Sequence, residues 1–130
     1  MNIKKERENA LLDLSSWWGL HNPGYMGIAV KQDGTLFKYK SKLLSDDEMT
    51  VIKTLSLNEI DRIKKVLIDE EKVFETTYNG PMVFDAGNTV RININENKKE
   101  IENESKSYSS DKEEKIYDRL LNLLNELSQN

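Results

Sequence analysis

An Asp33-Gly34 pair stands between two apolar runs and constrains the fold more than any other sequence feature. Asp-Gly is a preferred sequence for the two-residue type I′ turn that joins antiparallel strands. It predicts a hairpin over residues 25–40, with Val30 opposite Phe37. Because strand side chains alternate between faces, one face of this hairpin is expected to be core. The predicted core face comprises Met26, Ile28, Val30, Phe37 and Tyr39.

Three segments carry the apolar spacing of amphipathic helices. The first predicts a helix over 3–18, with a stripe of Ile3, Arg7, Ala10, Leu11, Leu14 and Trp18. The second begins at Ser56, which forms a capping-box pattern with Glu59. Its apolar stripe is Leu57, Ile60, Ile63, Leu67 and Phe74. The third begins near Asp111 and has the stripe Ile116, Leu120, Leu123, Leu124 and Leu127.

The other strands are recognised by β-branched content and alternation. They are predicted at 49–55, 82–85, 89–95 and around Ile101. A three-residue loop over 86–88 would join two of them as a second hairpin, and a two-residue loop is the alternative. Residues 96–99 are expected to turn the chain into the strand around Ile101. The polar segments 41–48 and 102–110 are predicted loops.

The predicted order of elements is α-ββ(β)-α-βββ-α. This order defines an α+β fold with a mainly antiparallel sheet of five to six strands and three helices packed on one face. No linker rich in Pro, Gly or Ser divides the chain, so we expect one domain over 1–130.

Composition excludes several classes of function. The 130 residues include no cysteine, and the net charge is −4. A disulfide scaffold, a cysteine-based zinc site, a thiol enzyme and a globally basic nucleic-acid binder are therefore excluded. With one histidine and no phosphate-binding glycine loop or G-x-S-x-G motif, the sequence lacks every strong catalytic signature tested. We expect no catalytic residue, no cofactor and no metal.

The window 14–30 contains no charged residue and concentrates the aromatic side chains. Its candidate binding residues are Trp17, Trp18, His21 and Tyr25. Tryptophan and tyrosine are favoured anchors in protein interfaces, so these residues could form an exposed recognition patch. The structural alternative is that they pack in the core, with Trp18 buried and Trp17 half-exposed. His21 beside Pro23 is expected to be a structural turn residue rather than a catalytic one.

Three consecutive carboxylates, Asp46, Asp47 and Glu48, form a second candidate binding site. Calcium prefers such oxygen ligands, but the EF-hand spacing is absent and consecutive side chains splay apart. A solvated loop is therefore the favoured structural interpretation. As a functional hypothesis, these carboxylates would attract a basic partner.

The sequence thus predicts a small non-enzymatic protein-binding domain that occludes a basic partner protein. Toxin-neutralising immunity proteins and phage-encoded inhibitors act in this way. The alternatives are an unfamiliar enzyme that pairs His21 with a carboxylate, and a homodimer formed through a sheet edge or the aromatic patch. The start of the chain does not resemble a signal peptide, and no segment reads as a membrane span, so a cytoplasmic protein without membrane or nucleic-acid partners is expected. The excess of Lys, Asn and Ile is typical of AT-rich bacterial genomes.

Overall fold

The computed structural model describes residues 3–18, 24–42, 47–78, 86–104 and 111–129. The helices are α1 (Ile3–Glu8), α2 (Leu57–Lys65) and α3 (Asp111–Gln129). The strands are β1 (Leu12–Trp18), β2 (Gly24–Val30), β3 (Thr35–Lys42), β4 (Glu48–Thr54), β5 (Ala86–Ile94) and β6 (Asn97–Glu104). All strand pairs are antiparallel, in the sheet order β4-β3-β2-β1-β5-β6. The predicted α+β class, a mainly antiparallel sheet of five to six strands with three helices, is confirmed by the six strands and three helices of the described residues.

Helices α2 and α3 pack on one face of the sheet, which we call the covered face. Their stripes meet the sheet in a continuous core that includes Leu14, Val30, Ile63, Val90 and Leu124. All five predicted stripe residues of α3 are buried. Helix α1 lies on the opposite face, where Ile3 packs with Ala10, Ala29, Phe37 and Tyr39 in a smaller cluster. The expectation that all three helices share one face is therefore wrong, and we call the second face the open face.

The predicted helix over 3–18 is wrong beyond Glu8, because residues 12–18 form the central strand β1. Leu12 and Leu14 alternate with Asp13 and Ser15, which is the two-residue period of a strand. Strand β1 pairs with β2 on one side and β5 on the other. This pairing with distant residues outweighs the helical spacing of the local sequence.

The hairpin over 25–40 is present, but its register differs by one residue from the prediction. Lys31 N–H bonds to the Thr35 carbonyl at 2.9 Å, so the loop has three residues and not two. Gly34 has φ +95°, which suits glycine. Val30 therefore pairs with Leu36, and Ala29 with Phe37.

This register divides the predicted core face between the two sides of the sheet. Ile28 and Val30 join the covered-face core, whereas Phe37 and Tyr39 pack under α1 on the open face. Met26, also predicted to be core, is 48% exposed.

The capping box of α2 is confirmed, with Glu59 N–H donating to Ser56 Oγ at 3.2 Å and Ser56 N–H to Glu59 Oε1 at 2.9 Å. Leu57 is predicted to belong to the apolar stripe but is 79% exposed at the first residue of α2. The helix continues as a π-helical turn over Val66–Glu70, short of Phe74.

The predicted loop at 86–88 is also wrong, since these residues belong to β5 and pair with β1. The turn predicted at 96–99 is present but shorter: it lies at Asn95 and Glu96, whose φ values are +52° and +68°, and residues 97–99 already belong to β6. Two left-handed residues are what a type I′ turn requires. The predicted strand over 82–85 lies outside the described residues, and the strand around Ile101 is confirmed as β6.

Candidate functional site

The open face carries a buried polar cluster beside α1. Asp13 is fully buried in the middle of the sheet, opposite Ala29 on β2 and Arg91 on β5. Its Oδ2 atom lies 3.1 Å from Arg7 Nε and 3.7 Å from Arg91 Nη1. Its Oδ1 atom accepts a hydrogen bond from the Tyr39 hydroxyl. Both carboxylate oxygens are thus engaged, as a buried charge requires.

Burial governs the protonation of this cluster. Loss of hydration raises the pKa of the Asp13 carboxyl, and this outweighs the lowering by Arg7, Tyr39 and Arg91. Burial also raises the pKa of Tyr39, and the charge of Asp13 adds to that rise. Tyr39 therefore keeps its proton and remains a hydrogen-bond donor.

Two tyrosine rings contact the Arg7 guanidinium. Its Cζ atom lies 4.2 Å from the Tyr25 ring centroid and 4.8 Å from that of Tyr39. These distances are within the range of cation–π attraction. The Arg7 side chain is only 10% exposed, so α1 is fixed to the sheet by an arginine held in an aromatic and acidic pocket.

Gly27 makes room for this arrangement. Tyr39 lies opposite Gly27 on the neighbouring strand and reaches across it to Asp13 on β1. A Cβ atom at position 27 would lie 2.5 Å from the Tyr39 hydroxyl oxygen and would also collide with the Leu14 carbonyl oxygen. Only glycine therefore lets the tyrosine cross β2.

A cavity of about 290 Å³ lies beside the Arg7 pocket, on the part of the open face towards β5. Trp17 and Tyr25 line it, and they are opposite each other on β1 and β2. The Trp17 indole N–H donates to Thr89 Oγ1 at 3.1 Å, which orients the ring. Ser15 and Thr89 on the lining are buried hydroxyl residues.

Trp17 and Tyr25 belong to a row that crosses the open face, and we call this set the aromatic row. Tyr25 pairs with Ser41 on β3, and the Ser41 hydroxyl donates to the Asp47 carboxylate at the start of β4. The row therefore consists of Trp17, Tyr25, Ser41 and Asp47. Trp17, Tyr25 and Ser41 are each half-buried, and Asp47 is exposed.

Acidic side chains line the other edge of the open face. Glu100 and Glu102 lie two residues apart on the edge strand β6, opposite Arg91 and Thr89. Arg91 Nε lies 3.4 Å from Glu100 Oε2. A hydrogen bond to Glu100 raises the pKa of the Glu102 carboxyl, with burial as the next cause. The positive charge of Arg91 acts in the opposite direction and lowers the pKa of Glu102.

A second cleft, of about 490 Å³, separates the end of α1 from the β5–β6 hairpin. It shares Arg7 and Arg91 with the smaller cavity and also contains Lys98 and Glu100. Its lining is mixed in charge, unlike the largely apolar lining typical of small-molecule sites.

The structure brings together only part of the predicted binding set. Trp17, Tyr25 and Asp47 share the aromatic row, but Glu48 pairs with Lys40 and, as the next residue along the strand, points to the opposite side of the sheet. Trp18 ends β1, and its side chain is not described. His21 and Asp46 lie outside the described residues, so their predicted roles stay predictions.

Sequence reasoning did not identify Arg7, Asp13, Tyr39, Arg91 or the two β6 carboxylates as site residues. The one available signal was Asp13, an isolated carboxylate between Leu12 and Leu14. In a strand with buried neighbours, such a residue indicates a buried polar cluster.

Within the described ranges, no three His, Cys, Asp or Glu side chains group closely enough to hold a metal ion. Among those same residues, none of the helices has the length and apolar character needed to cross a membrane. Comparison with known protein families and with curated proteins finds no match for this chain.

Proposed function

We propose that the chain is a small non-enzymatic protein-binding domain that occludes the basic surface of a partner protein, as toxin-neutralising immunity proteins and phage-type inhibitors do. The observation that carries this proposal is the aromatic row, in which Trp17 and Tyr25 stand side by side on the open face. Asp47 continues the row at one edge, and Glu100 and Glu102 line the opposite edge.

This arrangement matches the usual anatomy of a protein interface. Interface cores are enriched in tryptophan and tyrosine, and polar groups form the rim. The aromatic rings are half-buried and oriented by neighbours, so less side-chain entropy would be lost on binding. Trp17 is held by Thr89, and Tyr25 by Arg7.

The charge of the rim favours a basic partner. The chain has a net charge of −4, and Glu100 and Glu102 share one hydrogen bond. A lysine or arginine from a partner would pair favourably with these two side chains. Opposite charges of this kind mainly accelerate association. A cytoplasmic bacterial setting, which the sequence predicts, is consistent with such a role.

The homodimer alternative is less well supported at the sheet edges. Edge strand β4 contains an extra residue, Ile52, between the pairs Leu36–Lys53 and Phe37–Val51. Edge strand β6 exposes charged side chains. Bulges and charges are common devices against edge-to-edge pairing. The enzyme alternative depends on His21 and is addressed only by activity measurements.

Selection from a displayed library of host-genome fragments tests the proposal. Fragments selected on the wild-type chain are then tested for binding to the Trp17→Ala variant, with Leu57→Ala as the control because Leu57 is an exposed apolar residue on α2. We expect the enriched fragments to carry net positive charge and to lose binding to Trp17→Ala alone. Fragments that are acidic, or that keep binding to Trp17→Ala, would contradict the proposal, as would a selection that enriches none.

The association and dissociation rates of the enriched fragment distinguish the acidic part of the open face from its aromatic part. Asp47→Asn should lower the association rate and flatten its salt dependence, because charge steers encounter. Trp17→Ala should mainly raise the dissociation rate, because it removes a packed anchor. Surface plasmon resonance at two salt concentrations measures both effects. Unchanged rates in both variants would place the binding face elsewhere.

A further inference from the structure

We propose that the pocket that holds Arg7 is a recognition pocket for an arginine of the partner, and that α1 is a displaceable cover that fills this pocket in the free chain. This inference rests on the proposed function, because it names the chemical group by which the basic partner is recognised. It also makes a claim about the free chain that can be tested with no partner at hand.

The pocket is already shown to accept a guanidinium, because it contains one. Asp13 at its base is fully buried and bonds to Arg7 Nε at 3.1 Å, and the rings of Tyr25 and Tyr39 lie on the guanidinium at 4.2 and 4.8 Å. Tyr39 is itself held by its hydrogen bond to Asp13. A planar guanidinium that stacks on the tyrosine rings and donates through Nε to Asp13 Oδ2 fits this site, whereas the compact ammonium of lysine cannot stack in this way.

Helix α1 is suited to be a removable cover. It has six residues, far fewer than a helix needs to be stable in isolation. Within α1, the contacts with the open face are centred on Ile3 and Arg7. Two further ion pairs of α1, Lys4–Glu8 and Lys31–Glu6, are partly or largely exposed and contribute little.

Displacement of α1 would enlarge the binding face without breaking the sheet. Tyr25 contacts Arg7 and also belongs to the aromatic row, so the pocket and the row are continuous. Phe37, Ala29 and Tyr39, now packed with Ile3, would extend the aromatic surface. If α1 left, Arg91 at 3.7 Å would be the remaining cation beside Asp13, and a partner guanidinium in the pocket would restore the closer ion pair that Arg7 makes at 3.1 Å. The pocket therefore favours displacement of α1 by an arginine.

Chemical rescue tests the pocket in the absence of a partner. The Arg7→Ala variant is melted in low millimolar guanidinium chloride and in sodium chloride of equal concentration. We expect guanidinium to raise the midpoint of this variant and to leave wild type unchanged. Arg62→Ala is the control, because Arg62 pairs with Glu126 on the exposed surface of α2 and α3. A midpoint that responds equally to both salts overturns the proposal.

A second experiment uses the wild-type chain and decides the matter if Arg7→Ala does not fold. Hydrogen exchange of the Ile3–Glu8 amides is measured with a hexa-arginine peptide and with a hexa-lysine peptide. We expect the arginine peptide alone to accelerate exchange, by about tenfold or more, as is typical of coupled binding steps. Equal effects of the two peptides, or none, would contradict a displaceable arginine-specific cover.

The outcomes distinguish this inference from the proposed function. If selected fragments depend on Trp17 but bind equally well when their arginines are changed to lysine, the protein-binding function stands and the arginine pocket is wrong. If guanidinium rescues Arg7→Ala but no fragment depends on Trp17, the pocket exists and the proposed function fails.

Discussion

Replacing Gly27 by alanine should disorganise the Asp13 cluster, although the change adds a single methyl group far from α2 and α3. The new Cβ atom would lie 2.5 Å from the Tyr39 hydroxyl oxygen and 2.8 Å from its Cζ atom, and it would also collide with the Leu14 carbonyl oxygen. The tyrosine can retreat only by giving up its hydrogen bond to Asp13. The backbone carbonyl has no such freedom.

Two contributions set the expected loss of stability. A hydrogen bond to a charged group contributes about 1.5–3 kcal/mol. Overpacking by one methyl group in a close-packed site costs about 1–3 kcal/mol. The Gly27→Ala variant should therefore lose roughly 2.5–6 kcal/mol of unfolding free energy, a large part of the roughly 5–15 kcal/mol of an ordinary domain.

Urea denaturation of four proteins measures this loss of unfolding free energy and shows how much of it comes from the contact between Gly27 and Tyr39. The wild type, Gly27→Ala, Tyr39→Phe and the double variant form a cycle that isolates the coupling of the two residues. Because the Tyr39→Phe variant already lacks the hydrogen bond, the stability lost through Gly27→Ala should be about 1.5–3 kcal/mol smaller in that variant than in wild type. A Gly27→Ala loss below about 1 kcal/mol, or strictly additive effects, would refute the crossing of Tyr39 over β2.

Three further changes test other parts of the fold. Ile28→Ala should cost about 2–5 kcal/mol, because Ile28 is 4% exposed in the covered-face core; an unchanged urea midpoint would mean that the register is wrong. Glu96→Gly should raise the free energy of unfolding by up to about 1 kcal/mol, and the thermal midpoint with it. Glu96 has φ +68°, a left-handed backbone conformation that glycine adopts without strain. The hydrogen bond from Ser56 N–H lowers the pKa of Glu59, so its contribution is present above its unfolded pKa and is lost as pH falls through the lower folded pKa. The stability difference between wild type and Glu59→Gln should therefore shrink on acidification, and a pH-independent difference would exclude this linkage.

Elements whose signals are local could be predicted from the sequence. Helix α3 has an uninterrupted apolar stripe, and α2 begins at a capping box, so the required information lies within one segment. Strand β1 could not be predicted in this way. Its pairing partner β5 lies some seventy residues further along the chain. Ser16 Oγ on β1 donates a hydrogen bond to Asn88 Oδ1 on β5 at 2.7 Å. Local spacing favoured a helix, and only the sheet made the segment a strand.

The hairpin shows how a correct element can have a wrong register. Asp33-Gly34 suits both a two-residue turn and a three-residue loop with a left-handed glycine at its end. The Asp33 side chain accepts hydrogen bonds from the Thr35 backbone N–H at 2.9 Å and from the Thr35 hydroxyl at 2.7 Å. These two bonds favour the longer loop. One residue of difference moves Phe37 and Tyr39 from the covered face to the open face.

The candidate site was accessible from the sequence only in part. Trp17 and Tyr25 stood out by composition, because the uncharged window around them was unusual. Asp13 and Arg7 did not, because their roles depend on three strands and a helix meeting at one point. Once residues 12–18 are taken as a helix, the carboxylate of Asp13 becomes an ordinary surface charge.

In the proposed function, a partner covers the open face at the aromatic row. Hydroxyl-radical footprinting of the chain, free and bound to its selected fragment, measures this coverage because it reports the solvent access of individual side chains. We expect Trp17 and Tyr25 to lose labelling in the complex, while Leu57 and Ile68, exposed on the helical side, keep theirs. Loss of labelling at Leu57 and Ile68, with Trp17 and Tyr25 unchanged, would contradict it.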